Sequence, residues 1–201
     1  MRVLLHGDDD RLEAALRRRG LEPVRQGQAA ALLTTGPPPR LRPLAELSSE
    51  EWKARFTVWV EDAFWAFQAW LREVLAQGHA GRWVAITTTL GAQPFPGGGV
   101  DGACAVAVHT LVRIAAIEYG PRGIRANAIA AGWPEHSLPP ELDPQLALVD
   151  TPTGRLTSSD DIAATVSWLL SADADQLNGE ILRLDGGYTI TRGSRPDPRR
   201  P

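Results

Sequence analysis

The stretch GIRANAIAAGW, Gly123 to Trp133, reads as a strand with both ends marked. Ile124 to Ala130 is short and rich in small and apolar residues, and glycines at 123 and 132 punctuate it. Upstream, Val100 to Tyr119 is long and apolar enough for a core helix. Before it, Arg82 to Thr88 predicts another strand, and a Gly/Pro-rich loop runs on to Gly99. Downstream, Trp133 to Asp150 is Pro-rich and predicts a loop. Ser159 to Leu170 predicts a helix opened by Asp160 and Asp161, and Glu180 to Leu184 a last strand.

The amino-terminal part repeats the alternation. Arg2 to His6 predicts a first strand, Asp8 to Arg19 a helix stopped by Gly20, and Leu21 to Arg25 a second strand. Ala29 to Thr35 is an apolar run ending in Gly36 and Pro37 to Pro39, which predicts a buried strand and a stiff loop. Ser48 and Ser49 followed by Glu50 and Glu51 mark the start of a helix reaching Gln77. Trp52, Phe56, Trp59, Ala63, Phe67 and Trp70 recur along it at helical spacing, and Phe64 and Trp65 add bulk on adjoining faces. Strands alternating with helices predict a doubly wound α/β fold, with a mostly parallel sheet covered on both faces. One domain over 1–191 and a flexible tail over 192–201 are expected.

Bulk properties exclude some classes. The 201 residues are 43% hydrophobic and 22% charged, with a net charge of −3, which gives no general affinity for polyanions. No nucleic-acid motif is present. No apolar run is expected to cross a membrane. The single cysteine, Cys104, excludes an internal disulfide and fits a cytoplasmic protein. Seven tryptophans point to large aromatic contact surfaces. No clustering of His, Cys, Asp and Glu argues for metal.

Three segments carry a resemblance. GIRANAIAAGW is similar to a segment written GIRVNAVAPG in the short-chain dehydrogenase/reductase family. DDIAATVSWLLSADADQLNGEILRLDGGYT, Asp160 to Thr189, is similar to that family's last helix, Asn-Gly loop and DGG strand end. PLAELSSEEWKARFTV, Pro43 to Val58, is similar to the start of its fourth helix. The chain therefore resembles a shortened 3-oxoacyl-ACP reductase-type member, with a strand and its flanking helices missing between Val24 and Ala31. In the family that segment carries adenine-binding residues.

The resemblance implies where chemistry would sit. The family's proton-donating tyrosine falls at Asp101, the lysine that tunes it at Ala105, the substrate-fixing serine at Thr88 and the relay asparagine at Trp59. Threonine keeps a hydroxyl. A carboxylate accepts hydrogen bonds but donates none, alanine carries no charge, and an indole N–H only donates. The family's glycine-rich phosphate turn reads Gly7, Asp8, Asp9, Asp10, Arg11, Leu12, Glu13. One glycine remains, and three carboxylates stand where a diphosphate would bind.

The leading expectation is a catalytically inactive subunit with no cofactor, a homo- or hetero-oligomer assembling through helices 48–77 and 100–119. An intact dehydrogenase is the expected partner of the hetero-oligomer. A second reading reassigns the pocket to non-redox acid/base chemistry by Thr88, Asp101 and His136. A third keeps an atypical NAD(P)-dependent oxidoreductase. For Asp101 the simple expectation is an acid at a helix N-terminus, and His109 is expected to pack within its helix.

Overall fold

The computed structural model describes residues 1–191, so the expected tail at 192–201 lies outside the described residues. Six strands form one parallel sheet in the order β2-β1-β3-β4-β5-β6. They are β1 (Arg2–His6), β2 (Glu22–Val24), β3 (Ala31–Thr35), β4 (Gly81–Thr88), β5 (Ile124–Ala131) and β6 (Ile181–Leu184). Because β1 pairs with β2 on one side and β3 on the other, the chain reverses its direction of travel across the sheet there. In such sheets ligands bind beyond the carboxyl ends of the strands at that point.

Each central strand is buried on both sides, and its residues alternate between two cores. Val3, Leu5, Leu33, Val84, Ile86 and Ile129 pack under α1 (Asp10–Arg18) and α6 (Ser159–Leu169). Leu32, Trp83, Ala85, Ala126 and Ala128 pack under α3 (Asp62–Ala76) and α4 (Gly99–Tyr119). The remaining helices are α2 (Ser49–Phe56), α5 (Pro144–Val149) and α7 (Tyr188–Thr191). Helix α5 lies inside the stretch expected to be a loop, where Asp143 caps a start with Pro144 at its first position.

The motif asparagines act as staples. Asn178 accepts from the Ala126 N–H at 2.9 Å and Asn127 accepts from the Glu180 N–H at 3.0 Å. The Asn127 amide also donates to Leu177 O at 2.9 Å. These bonds lock β5 to the approach of β6. Asp185, of the DGG end, accepts from the N–H groups of Gly187 and Thr189, both at 2.9 Å, and so caps α7.

Three expectations change. The single helix over 48–77 is interrupted by a π-helical turn at Thr57–Glu61, which resets the faces on either side. Its aromatic stripe is therefore mostly core. Trp59, Ala63, Phe67 and Trp70 are buried, and Phe67 stacks on Trp83 with ring centres 4.2 Å apart. The outward apolar residues are Trp52, Val58 and Trp65 instead. Third, the stretch from Gly99 to Arg122 is long and apolar enough to cross a membrane. Its apolarity has a local cause, since Val108, Val112, Ala115 and Ala116 fill the core against the sheet.

Candidate functional site

At the carboxyl ends of β1, β3, β4 and β5 lies a cleft of about 380 Å³. Its walls include Asp8 to Arg11, Thr35 to Pro39, Trp59, Thr87, Thr88, Ala131, Gly132, His136 and Thr157. A second cavity of about 530 Å³ lies beside it, lined by residues that include His6, Arg25, Val58 and Asp62. Both share Asp8, Thr35, Gly36, Pro37 and Pro38. The two form a trough along the strand ends, in the size range of small-molecule sites.

The turn after β1 keeps the backbone shape that only glycine gives. Gly7 has φ +113°, and a Cβ there would collide with the carbonyl and methyl of Thr35. The helix end beyond it is already capped, because Asp9 accepts from the Leu12 N–H at 2.9 Å. Arg25 lies across this turn. It donates to Gly7 O and to Glu13 at 3.2 Å, and stands 3.6 Å from Asp8. Arg17 holds the same Glu13 at 2.8 Å, chiefly by hydrogen bonding, and with Arg25 keeps its carboxyl below the usual range. The sequence assigns Arg25 no site role. Its place at the end of β2 is the only signal, and β2 reaches the turn solely through parallel pairing with β1.

The four family positions come together but not as a catalytic group. Thr88 is buried at the end of β4 and lines the cleft. Its hydroxyl oxygen accepts from the Leu90 N–H at 3.3 Å. Asp101, in the first turn of α4, has no solvent exposure and is absent from the cleft wall. Its carboxylate accepts from Arg55 at 2.7 Å (Nε) and 2.6 Å (Nη2), and from the Arg40 N–H at 2.8 Å. The simple expectation of a helix-end acid therefore understates it. Ala105, one turn later, is buried against Gly91. Trp59 fills space beside Val100 and Cys104, with its indole on Gly36 so tightly that a Cβ at 36 would overlap the ring.

His136 borders the cleft with an exposed side chain, 3.5 Å from Glu135. Thr88 and His136 thus share the cleft while Asp101 points elsewhere, so the three groups expected for reassigned chemistry do not assemble. A different pair does. Thr87 Oγ1 lies 2.8 Å from His109 Nε2, and both residues are buried. Burial, reinforced by the charge of Arg113, lowers the imidazole pKa to about 4. Cys104 is inert: burial, then the Asp101 carboxylate, push its thiol up to about 12. Among the described residues no group of three or more His, Cys, Asp and Glu is arranged to hold a metal ion.

The family model for enoyl-(acyl carrier protein) reductase matches residues 29–189. Galactitol 2-dehydrogenase (L-tagatose-forming) of Cereibacter sphaeroides is 35% identical over 159 residues, 75% of this chain and 62% of that protein. The chain spans about three-fifths of the length of the curated relatives it matches. A gluconate 5-dehydrogenase from Burkholderia cenocepacia, solved with NADP and tartrate, superposes with a TM-score of 0.82 at 22% identity. The match covers 94% of this chain and 95% of that one. A 3-ketoacyl-(acyl-carrier-protein) reductase from Brucella melitensis, solved with NADH, gives 0.75 at 23% identity, covering 89% and 72%. The expectation that no cofactor is involved is overturned by these matches, since the family is one of reductases and its solved members hold NADP and NADH. The carboxylates that prompted it are partly offset by Arg25, which only the tertiary structure brings to the turn. This chain is a member of the short-chain dehydrogenase/reductase family.

Proposed function

We propose that this chain is a non-catalytic member of its family, a subunit that keeps the nicotinamide trough and the assembly helices but not the proton-transfer chemistry. The observation that carries this is Asp101. At the position of the proton donor stands a buried carboxylate that accepts three hydrogen bonds or ion-pair contacts and faces away from the cleft. A general acid is worth about 10²–10⁴-fold in rate, and the Asp101 carboxylate does not line the cleft where it would be needed.

The trough is in the right place for a nicotinamide dinucleotide, and its residues fit one unevenly. Gly7 and Gly36 let Thr35 and the Trp59 indole close up against the strand-end turns that line the trough, and Thr88 has a hydroxyl proton free to donate. Arg25 and Arg11 are the cations near the phosphate turn, set against Asp8, Asp9 and Asp10. When bound, such a group supplies hydride chemistry. The residues here bind and orient it without supplying a proton. Like charge at the turn lowers the affinity.

Assembly is proposed through 48–77 and 100–119. Val58 and Trp65 on one helix, with Val106, Ile114 and Ile117 on α4, are exposed apolar residues on the layer covering one sheet face. The partner is a second copy or an intact dehydrogenase, in a reducing compartment consistent with one buried cysteine.

The test is NADH and NADPH oxidation by the purified chain against a panel of ketones, aldehydes and acyl thioesters. Rates equal to the uncatalysed background are expected. Turnover abolished by Thr88→Val would overturn the proposal and put the NAD(P)-dependent oxidoreductase reading first. That alternative is favoured by one observation, the retained trough.

A further inference from the structure

The two cavities of the trough are separated by the segment starting at Gly36. Gly36, Pro37 and Pro38 belong to both walls. Three successive prolines, Pro37 to Pro39, have no amide hydrogen, so this segment makes no ladder of its own and depends on outside anchors. Those anchors are few and specific. Arg55 donates to Pro38 O at 3.0 Å while its guanidinium holds Asp101. Asp101 in turn accepts from the Arg40 N–H, so one ion pair grips the segment on both sides of Pro39. Further along, Leu41 is buried and the Arg42 N–H donates to Gly97 O at 2.8 Å. At the other end Gly36 rests on the Trp59 indole.

Trp59 adds an independent observation. It is 5% exposed, it lines the cleft, and its indole N–H has no hydrogen-bond partner among the described residues. A buried donor left unpaired is costly, and displacement of the segment that covers it gives it access to an acceptor.

We infer that Asp101 and Arg55 form a latch holding residues 36–42 as a movable partition, and that an extended ligand of the dinucleotide class spans both cavities only when the latch is released. The ligand part rests on the reading of the trough proposed above, and the latch part does not. Asp101 and Arg55 are positioning residues here. The pair sits where the family keeps its proton donor, so the same position that ended proton transfer now governs the shape of the trough. A binding-competent state that is rarely populated weakens apparent affinity in proportion, and a variant that frees the partition recovers it.

Amide hydrogen exchange by NMR, on the full chain, reads the latch directly. In Arg55→Gln the Arg40 and Arg42 amides are expected to exchange about tenfold faster, with Val84 and Ile129 in the core unchanged. Arg55 bonds neither of those two amides, so the effect reports movement of the segment and not loss of a direct partner. Calorimetric titration then compares NAD⁺ with nicotinamide mononucleotide, which is short enough for one cavity. The variant is expected to bind NAD⁺ about tenfold tighter and the mononucleotide equally. Exchange that is unchanged at Arg40 and Arg42, or faster throughout the core, overturns the latch whatever binds. Faster exchange confined to the segment, with NAD⁺ bound equally by both forms, overturns the gating and leaves the nicotinamide reading standing, whereas no NAD⁺ binding by either form overturns both. Asp101→Asn, which keeps an acceptor for Arg40, gives the same comparison should Arg55→Gln fold poorly.

Discussion

Asp101 and Arg55 show how much one buried pair can commit. Removing one partner of such a pair leaves the other charge in low dielectric, at a cost of about 3–5 kcal/mol. Arg55→Met should lower unfolding stability in urea by about that much, since its partner has no exposure. The double variant Arg55→Met with Asp101→Leu should recover a large part. A second prediction concerns His109. Its folded pKa, about 4, lies below the ordinary value of 6.5, because burial disfavours the charged ring. Between those values the unfolded chain binds the extra proton, so stability is full above about pH 6.5 and falls as pH drops towards 4. The loss amounts to roughly 3 kcal/mol, and His109→Gln should flatten the pH profile of thermal unfolding in that window. At this scale positions were legible but partners were not. Counting from Gly123 places Asp101 and Ala105, whereas Arg55 is 46 residues from Asp101 and meets it only through helix packing.

Helix ends were the most readable elements. Ser48 and Ser158 each form a capping box, with Glu51 and Asp161 returning the bond to the cap backbone. Ser158→Ala should cost about 1 kcal/mol of unfolding stability, read by thermal denaturation. The effect at Ser158 extends further, because Arg155 also grips Asp161, at 2.6 and 2.8 Å, and holds its carboxyl well below the usual range. Arg155→Ala is therefore expected to remove part of the stability present at neutral pH and lost in acid. Besides α5, the element that the sequence did not indicate was the π turn at Thr57–Glu61. A local sequence of Thr, Val, Trp, Val and Glu has no distinctive signal for it. Trp59 needs room beside Val100 and Cys104 on α4 and against Gly36 after β3, and those neighbours come from two other parts of the chain. The extra residue in the turn resets the face between the two parts of the stripe, so that Trp52 lies outside while Trp59, Ala63, Phe67 and Trp70 lie inside.

At the scale of the whole molecule, the exposed apolar residues of α3 and α4 carry the last prediction. Ile117 is 71% exposed and Trp65 59% exposed on the outer side of the same layer. Sedimentation velocity should find an oligomer for the purified chain, or one formed with a dehydrogenase partner. Ile117→Lys should shift it towards monomer without lowering unfolding stability by more than about 0.5 kcal/mol, as for a surface site. The sheet itself was determined by sequence alone. Alternating strands and helices and the glycine-marked turns are local patterns, and local patterns select a doubly wound fold whatever the contents of its pocket. The missing strand was legible too, as six residues between β2 and β3 leave no length for one. What only tertiary structure decided was the trough. Arg25 reaches the phosphate turn, Asp101 turns from the cleft to Arg55, and Thr87 meets His109, each across strands or helices distant in sequence. Charge and hydrogen bonding depend on distances between side chains, and those distances exist only after the elements have packed.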